Sequence, residues 1–393
     1  MDTVLIPLFL LTALGVGLYA WAIPQGGPRW WGFAAATVAL VVASRLAGPS
    51  GLASVLADLA ELVAAGLIWS RGTPQAGEAA RKYLTAIALG IVLTRISLAL
   101  IGTGMAAPDG AAGKIAVALL ILGFALKLAL VPVYSWLPAV ARASSAMTTA
   151  LIIGVIDVSS FCDLMTLRAA APWIFESFST VWIAVAVVSL IGAALLALAQ
   201  TELKPMLAFS SIDDMGYLLL GLVLGGPVGM TGAWFGILSH GIAKIVLFGS
   251  VGAAEWYLGR PVSLQTRGLS SPLPVASAAF MLGALGFIGI PPTLGFVGHW
   301  RLYLAGAELG GPWLVAAMCA ASAMAVLCYA RAIHRTWLGP TDIADTGKSL
   351  PLTGAVVLLT FALASVFFGF VPDVLRTAPP PSQAVATLVR SAP

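Results

Sequence analysis

Apolar runs of about twenty residues follow one another along the whole chain, divided by short stretches of Gly, Pro and charge. As a helix, a run of that length crosses a hydrocarbon core of about 30 Å. Twelve runs fit: roughly 3–22, 30–47, 51–70, 79–101, 113–142, 146–168, 176–199, 205–224, 229–257, 272–303, 312–335 and 351–372. The pattern predicts an all-α, polytopic membrane protein with no soluble domain and no long linker. The first run has no basic leader and is too long for a signal h-region, so it reads as a retained helix.

Composition removes the alternative of one large soluble core. The 393 residues are 60% hydrophobic and only 9% charged, against about 25% charged in soluble domains. Too little polar surface exists to enclose such a core. The formal charge of +4 is small and scattered, which argues against nucleic-acid binding. Cys162, Cys319 and Cys328 lie in apolar runs without CxxC spacing, so neither a disulfide framework nor an iron–sulfur site is expected. No glycine-rich phosphate loop follows a strand. The expectation is a chain with no cofactor of its own.

Basic residues between the runs predict orientation. Eleven fall opposite the termini: Arg29, Arg71, Arg81, Lys82, Arg142, Lys204, Arg260, Arg267, Arg331, Arg335 and Lys348. Six fall on the terminal side: Arg45, Lys114, Arg168, Arg301, Arg376 and Arg390. This excess puts both termini outside the cytoplasm of a bacterial-type inner membrane.

Two runs are interrupted. The fifth carries Pro132 and Pro138 after Lys127, and the tenth carries Gly289, Pro291 and Pro292 before His299. Proline removes a helical hydrogen bond and clashes one turn back, so both helices should break. The interruptions lie five runs apart. They predict two five-helix repeats, 30–170 and 171–340, flanked by an N-terminal helix (1–29) and a C-terminal helix and tail (341–393). An odd number of helices inverts one repeat against the other, and paired broken helices in inverted repeats point to an ion path.

Ionisable residues inside the runs form a line. Asp58 and Glu61 share a face of the third run at i and i+3. Lys127 precedes the first break, Asp157 is central in the sixth run, His240 and Lys244 are i and i+4 on the ninth, and His299 follows the second break. A charge at the bilayer centre costs at least about 2.5 kcal/mol, so such groups face protein or water and mark a pathway. Alternating acids and bases suit a proton relay. Buried structural ion pairs and snorkelling are the competing readings. On those, Arg95 snorkels or pairs with Glu61; Asp58 and Arg95 are secondary candidates for the path. The histidines are then helix-packing residues; two distant ones are a weak basis for a haem. Asp213 and Asp214, near the start of the eighth run, read as structural complements to the helix dipole.

The stretch 199–217, AQTELKPMLAFSSIDDMGY, resembles the signature of the antiporter-like subunits of complex I (proton-pumping NADH–quinone oxidoreductase), especially subunit N. These subunits are related to Mrp cation/proton antiporters and to membrane arms of energy-converting hydrogenases. Residues 238–248 are closer to subunit M or L, 289–299 resemble the broken twelfth helix, and 78–83 the start of the sixth. The resemblance covers roughly residues 30–372. It implies two inverted repeats around a polar axis. It sets Glu61 on the family's glutamate, Lys127 on its partner lysine, His240 and Lys244 on the paired residues of the eleventh helix, and His299 on the terminal site, usually lysine or glutamate. Asp157 stands where the family carries a lysine, and the chain starts at the position of the family's third helix.

The implied function is a proton-translocating (or sodium-linked) membrane subunit of a larger redox-driven respiratory complex. Membrane and soluble partner subunits would hold the redox cofactors. The reversed charge at Asp157 keeps open a non-pumping membrane anchor for a catalytic partner. A membrane partner in inorganic-carbon uptake is a further alternative.

Overall fold

The structure, a computed structural model, describes residues 1–376 apart from 25, 49, 103–109, 341, 342, 344 and 345. Arg390 and most of the expected C-terminal tail lie outside the described residues. Each expected apolar run holds a helix or a broken helix: α1 (Asp2–Ala22), α2 (Pro28–Leu46), α3 (Gly51–Trp69), α4 (Pro74–Ile101), α5 (Gly110–Lys127) with α6 (Trp136–Ala143), α7 (Ala146–Ala170), α8 (Ser179–Ala199), α9 (Leu203–Leu224), α10 (Gly226–Leu258), α11 (Pro274–Ile288) with α12 (Leu294–Ala305), α13 (Pro312–Trp337) and α14 (Leu352–Phe370). Ten of these helices are long and apolar enough to cross a membrane; α2 and the broken α11–α12 fill the other two runs. Among the described residues there is no strand, only one isolated bridge between Glu202 and Ser263.

Local chemistry sets the helix starts. Ser50 Oγ accepts from Ala53 N at 3.2 Å and opens α3. Thr73 Oγ1 does the same for Ala76 N, with Pro74 in the first turn, so α4 starts five residues before the apolar run does. Both are N-caps that satisfy a free amide.

Three helices form the centre. The apolar stretches of α7, α9 and α10 are 89%, 94% and 100% buried, against 28–50% for the others. Helices apolar all round belong in the interior. In a membrane, small residues let such helices touch along their backbones. A Cβ on Gly298 would lie 2.7 Å from Gly236 N, and one on Gly216 would lie 2.7 Å from Ala186 O. Around α7, α9 and α10 the outer helices show lipid-type surfaces, such as Leu11, Leu14 and Trp21 on α1.

Both interruptions occur where the prolines predict. Between α5 and α6, Ala129 has φ +53°, and the freed backbone groups find partners. Trp136 Nε1 donates to Leu126 O at 2.8 Å, and Val131 N donates to Ser189 Oγ on α8 at 3.0 Å. Between α11 and α12, Gly289 adopts φ +80°, and Thr293 Oγ1 donates to Ile290 O at 2.7 Å. Irregular backbone at this depth survives only when protein or water satisfies it. One turn was not legible: α7 widens into a π-helical turn over Ile152–Asp157.

One residue counted as a loop cation sits elsewhere. Lys204 is buried in the first turn of α9, where its ammonium bridges Glu255 Oε2 at 3.0 Å and the Ser144 carbonyl at 2.9 Å. It pins the end of α6 to the end of α10.

Candidate functional site

Two clusters of buried acids and bases lie inside the bundle. In the first, α3 presents Asp58 and Glu61 to Lys127, the last residue of α5. The Lys127 ammonium lies 3.0 Å from Glu61 Oε1 and 3.4 Å from Asp58 Oδ1. Ser160 Oγ on α7 donates to the same Glu61 oxygen at 2.7 Å, and Tyr83 OH donates to the Glu61 carbonyl at 2.9 Å. Asp58 is shared: Arg95 Nε on α4 donates to its Oδ2 at 2.7 Å. Arg95 was expected to snorkel or to pair with Glu61, and that reading is corrected. Asp58 lies almost one turn from Glu61 and takes the guanidinium, while Glu61 turns to Lys127. The Arg95 side chain stays 38% exposed.

The second cluster centres on a residue the sequence reading set aside. Asp214 is the twelfth of the 22 residues of α9 and is buried. Its Oδ2 lies 2.7 Å from His240 Nδ1 on α10, and its Oδ1 lies 3.3 Å from His299 Nε2 on α12. A mid-helix carboxylate holding two imidazoles is no dipole complement, so the structural reading of Asp214 is corrected. Asp214 is at mid-helix whether counted from Leu203 or from the start of the apolar run at 205. The neighbouring Asp213 is also buried, and among the described residues its Oδ1 has no hydrogen-bond partner.

His299 has an acceptor at each ring nitrogen, since Nδ1 also faces Gly295 O at 3.1 Å. A proton-loaded imidazole has a donor for both contacts and a neutral one for only one. The other nitrogen of His240, Nε2, has no protein partner. Lys244, one turn on from His240, is fully buried. Its ammonium donates to Ser210 Oγ at 2.6 Å and Leu207 O at 3.0 Å, and lies 3.8 Å from the centre of the Phe287 ring. Among the described residues no carboxylate pairs with it directly.

Between the clusters runs α7. Ser160 joins it to Glu61, and Asp157 sits one turn earlier, at the end of the π-helical turn. Asp157 is buried, its Oδ1 has no protein partner, and Glu61 is its charged neighbour. Toward α10 the seam is small and apolar: a Cβ on Gly154 would meet Ile245 at 3.3 Å, and one on Gly241 would meet Val158 at 3.1 Å. The sequence-read residues thus divide. Asp58, Glu61, Arg95 and Lys127 come together, His240 and His299 meet on Asp214 with Lys244 a turn away, and Asp157 stands apart from the second group.

Carboxylate–base clusters buried beside two broken helices define a polytopic membrane protein with an ionisable interior. The chain belongs to the NADH:quinone oxidoreductase/Mrp antiporter transmembrane family, whose model matches residues 76–325. NADH-quinone oxidoreductase subunit N of Salinibacter ruber is 31% identical over 322 residues, 74% of this chain and 64% of that protein. Subunit M of the Rickettsia conorii enzyme is 33% identical over 180 residues, 46% of this chain and 36% of that protein. The chain thus spans less than two thirds of the length of these curated relatives. In fold it resembles a chain of the Mrp complex from Dietzia sp., with a TM-score of 0.87 and 23% identity, covering 95% of this chain and 81% of that one. A chain of respiratory complex I from Thermus thermophilus gives 0.78 and 23%, covering 95% and 84%.

The two adjacent aspartates of α9 should behave differently. Removing one partner of a buried ion pair costs about 3–5 kcal/mol, so Asp214→Ala is expected to lower the melting temperature of the detergent-solubilised protein clearly. Asp213→Ala should lower it less. Equal melting temperatures would contradict the assignment of Asp214 as the hub.

Proposed function

We propose that the chain is a proton-translocating, antiporter-like subunit of a larger redox-driven membrane complex. The observation that carries this reading is the pairing of a buried acid–base cluster with each of two broken helices. In the first, Lys127 is held between Glu61 and Asp58. Shifting Lys127 toward either carboxylate changes the charge that the other feels, and so its hold on a proton. Glu61 is linked through the Ser160 hydroxyl to α7, where Asp157 is the next acid. Beyond the seam, His240, Lys244 and Asp214 lead to His299. On this reading α2–α7 and α8–α13 are the two inverted repeats. The driving energy comes from partner subunits that carry the redox cofactors.

The partly exposed Asp58–Arg95 pair, its side chains 17% and 38% exposed, supports a partner within the membrane. A charged pair open to hydrocarbon is costly, and a neighbouring membrane subunit over α3 and α4 would cover it. Basic residues concentrated opposite the termini support an inner-membrane orientation with both ends outside the cytoplasm. Alkaline phosphatase fused to the C-terminus is then expected to be active; a silent phosphatase together with a bright cytoplasmic reporter reverses the orientation.

One observation favours a second reading. Among the described residues no cation pairs with Asp157, its charged neighbour is Glu61, and the contact of its helix with α10 is small and apolar, as in an anchor that docks a catalytic partner and no longer conducts. Two substitutions in the assembled complex, reconstituted in vesicles, separate the readings. Lys127→Met is expected to reduce turnover-linked proton movement at least about a hundredfold, the lower end of what removing a positioned proton-transfer group costs; undiminished pumping sinks the relay. Asp157→Asn should abolish pumping while assembly is kept. Loss of assembly, with normal transport in whatever assembles, favours the anchor.

A further inference from the structure

Lys244 occupies an unusual site for a buried cation. Its three ammonium protons meet a carbonyl (Leu207), a hydroxyl (Ser210) and an aromatic face (Phe287). We propose that Phe287 is a positioning residue for Lys244: its ring supplies the third ligand of the ammonium and ties it to the break between α11 and α12. The inference rests on Lys244 carrying a proton in the relay proposed above.

Phe287 is the penultimate residue of α11 and is buried. Two residues later comes Gly289, at φ +80°, with the His299 ring packed against it; a Cβ there would lie 2.7 Å from His299 Nδ1. The segment 287–289 therefore touches Lys244 at one end and His299 at the other. The Phe287 ring also packs on Tyr329, with centroids 5.3 Å apart, and Tyr329 OH lies 2.9 Å from Ser210 Oγ. Ser210 is itself a ligand of Lys244. Moving Phe287 thus disturbs two of the three ammonium ligands together. The His240 ring centre lies 6.4 Å from that of Phe287.

The chemistry suits a group that must hold a proton and give it up. An aromatic face attracts a cation through its quadrupole, but it is no base and does not compete for the proton. A carboxylate in the same place would leave a buried unpaired anion whenever the lysine was neutral. The break supplies the motion. His299 is bound to Asp214, and Gly289 lets the backbone turn beneath its ring. A change in the His299–Asp214 contact shifts residues 287–289, and the ring moves with them. Lys244 is then held or freed according to the state of His299, with no hydrogen bond between the two residues.

The test exploits the ring's electronics. Phenylalanine carrying one, two or three fluorines is placed at position 287 in the full chain, and turnover-linked proton movement is measured in vesicles per assembled complex. Fluorine drains the ring face while nearly keeping its shape. Pumping is expected to fall stepwise with fluorine count, reaching about a thirtyfold loss with three, the scale of a desolvated cation–π contact. Phe287→Leu should match the trifluoro protein; should it not assemble, the fluorinated series still decides. A flat series overturns the inference and leaves Phe287 as packing. Lys244→Met in the same vesicles separates this failure from that of the relay. Normal pumping by Lys244→Met overturns both, whereas a dead Lys244→Met beside a flat series removes only the role of Phe287.

Discussion

A lysine ammonium inside a hydrocarbon slab must be surrounded by acceptors, and this constraint organises the protein. Lys127 meets it with two carboxylates from one face of α3. Serving it requires a helix that stops at Lys127, so that the side chain can reach sideways. The stop requires partners for the freed backbone, which Trp136 and Ser189 provide. Ser189 comes from α8, so satisfying one buried cation already couples the two halves of the bundle.

The second half solves the same problem with different chemistry. A single carboxylate, Asp214, serves two imidazoles, and the lysine nearby has a carbonyl, a hydroxyl and a ring. Histidine titrates near neutral pH when unperturbed, and its two nitrogens allow one ring to touch two acceptors, as His299 does. Close packing makes this possible. The glycines of α10, α11 and α12 bring backbones within van der Waals distance, so that α10 and α12 each place an imidazole on the one aspartate of α9.

Much of this was legible in the sequence, for identifiable reasons. Helix number followed from apolar run length, because twenty residues and 30 Å match. Both breaks followed from prolines, whose effect on a helix is local. The Glu61–Lys127 pair followed from the family resemblance. What was not legible is which neighbour a side chain faces where no motif marks the partner. Spacing set Asp58 and Glu61 on one face but could not say which would meet Arg95. Asp214 is mid-run in the sequence too, but no spacing along the chain shows that imidazoles from α10 and α12 converge on it. Ser160 and Phe287 carry no charge to mark them. The π-helical turn before Asp157 has no sequence signal at all.

Asp157 lies where the two clusters must communicate if they form one route. The direct measurement is the number of protons moved per electron by the assembled complex in vesicles, with Glu61→Gln, with Asp214→Asn, and with both. A single serial route gives the same reduced ratio for either change and for the pair, because blocking a line twice does no more than blocking it once. Losses that add, or a ratio that stays at the wild-type value, would contradict a continuous path through Asp157.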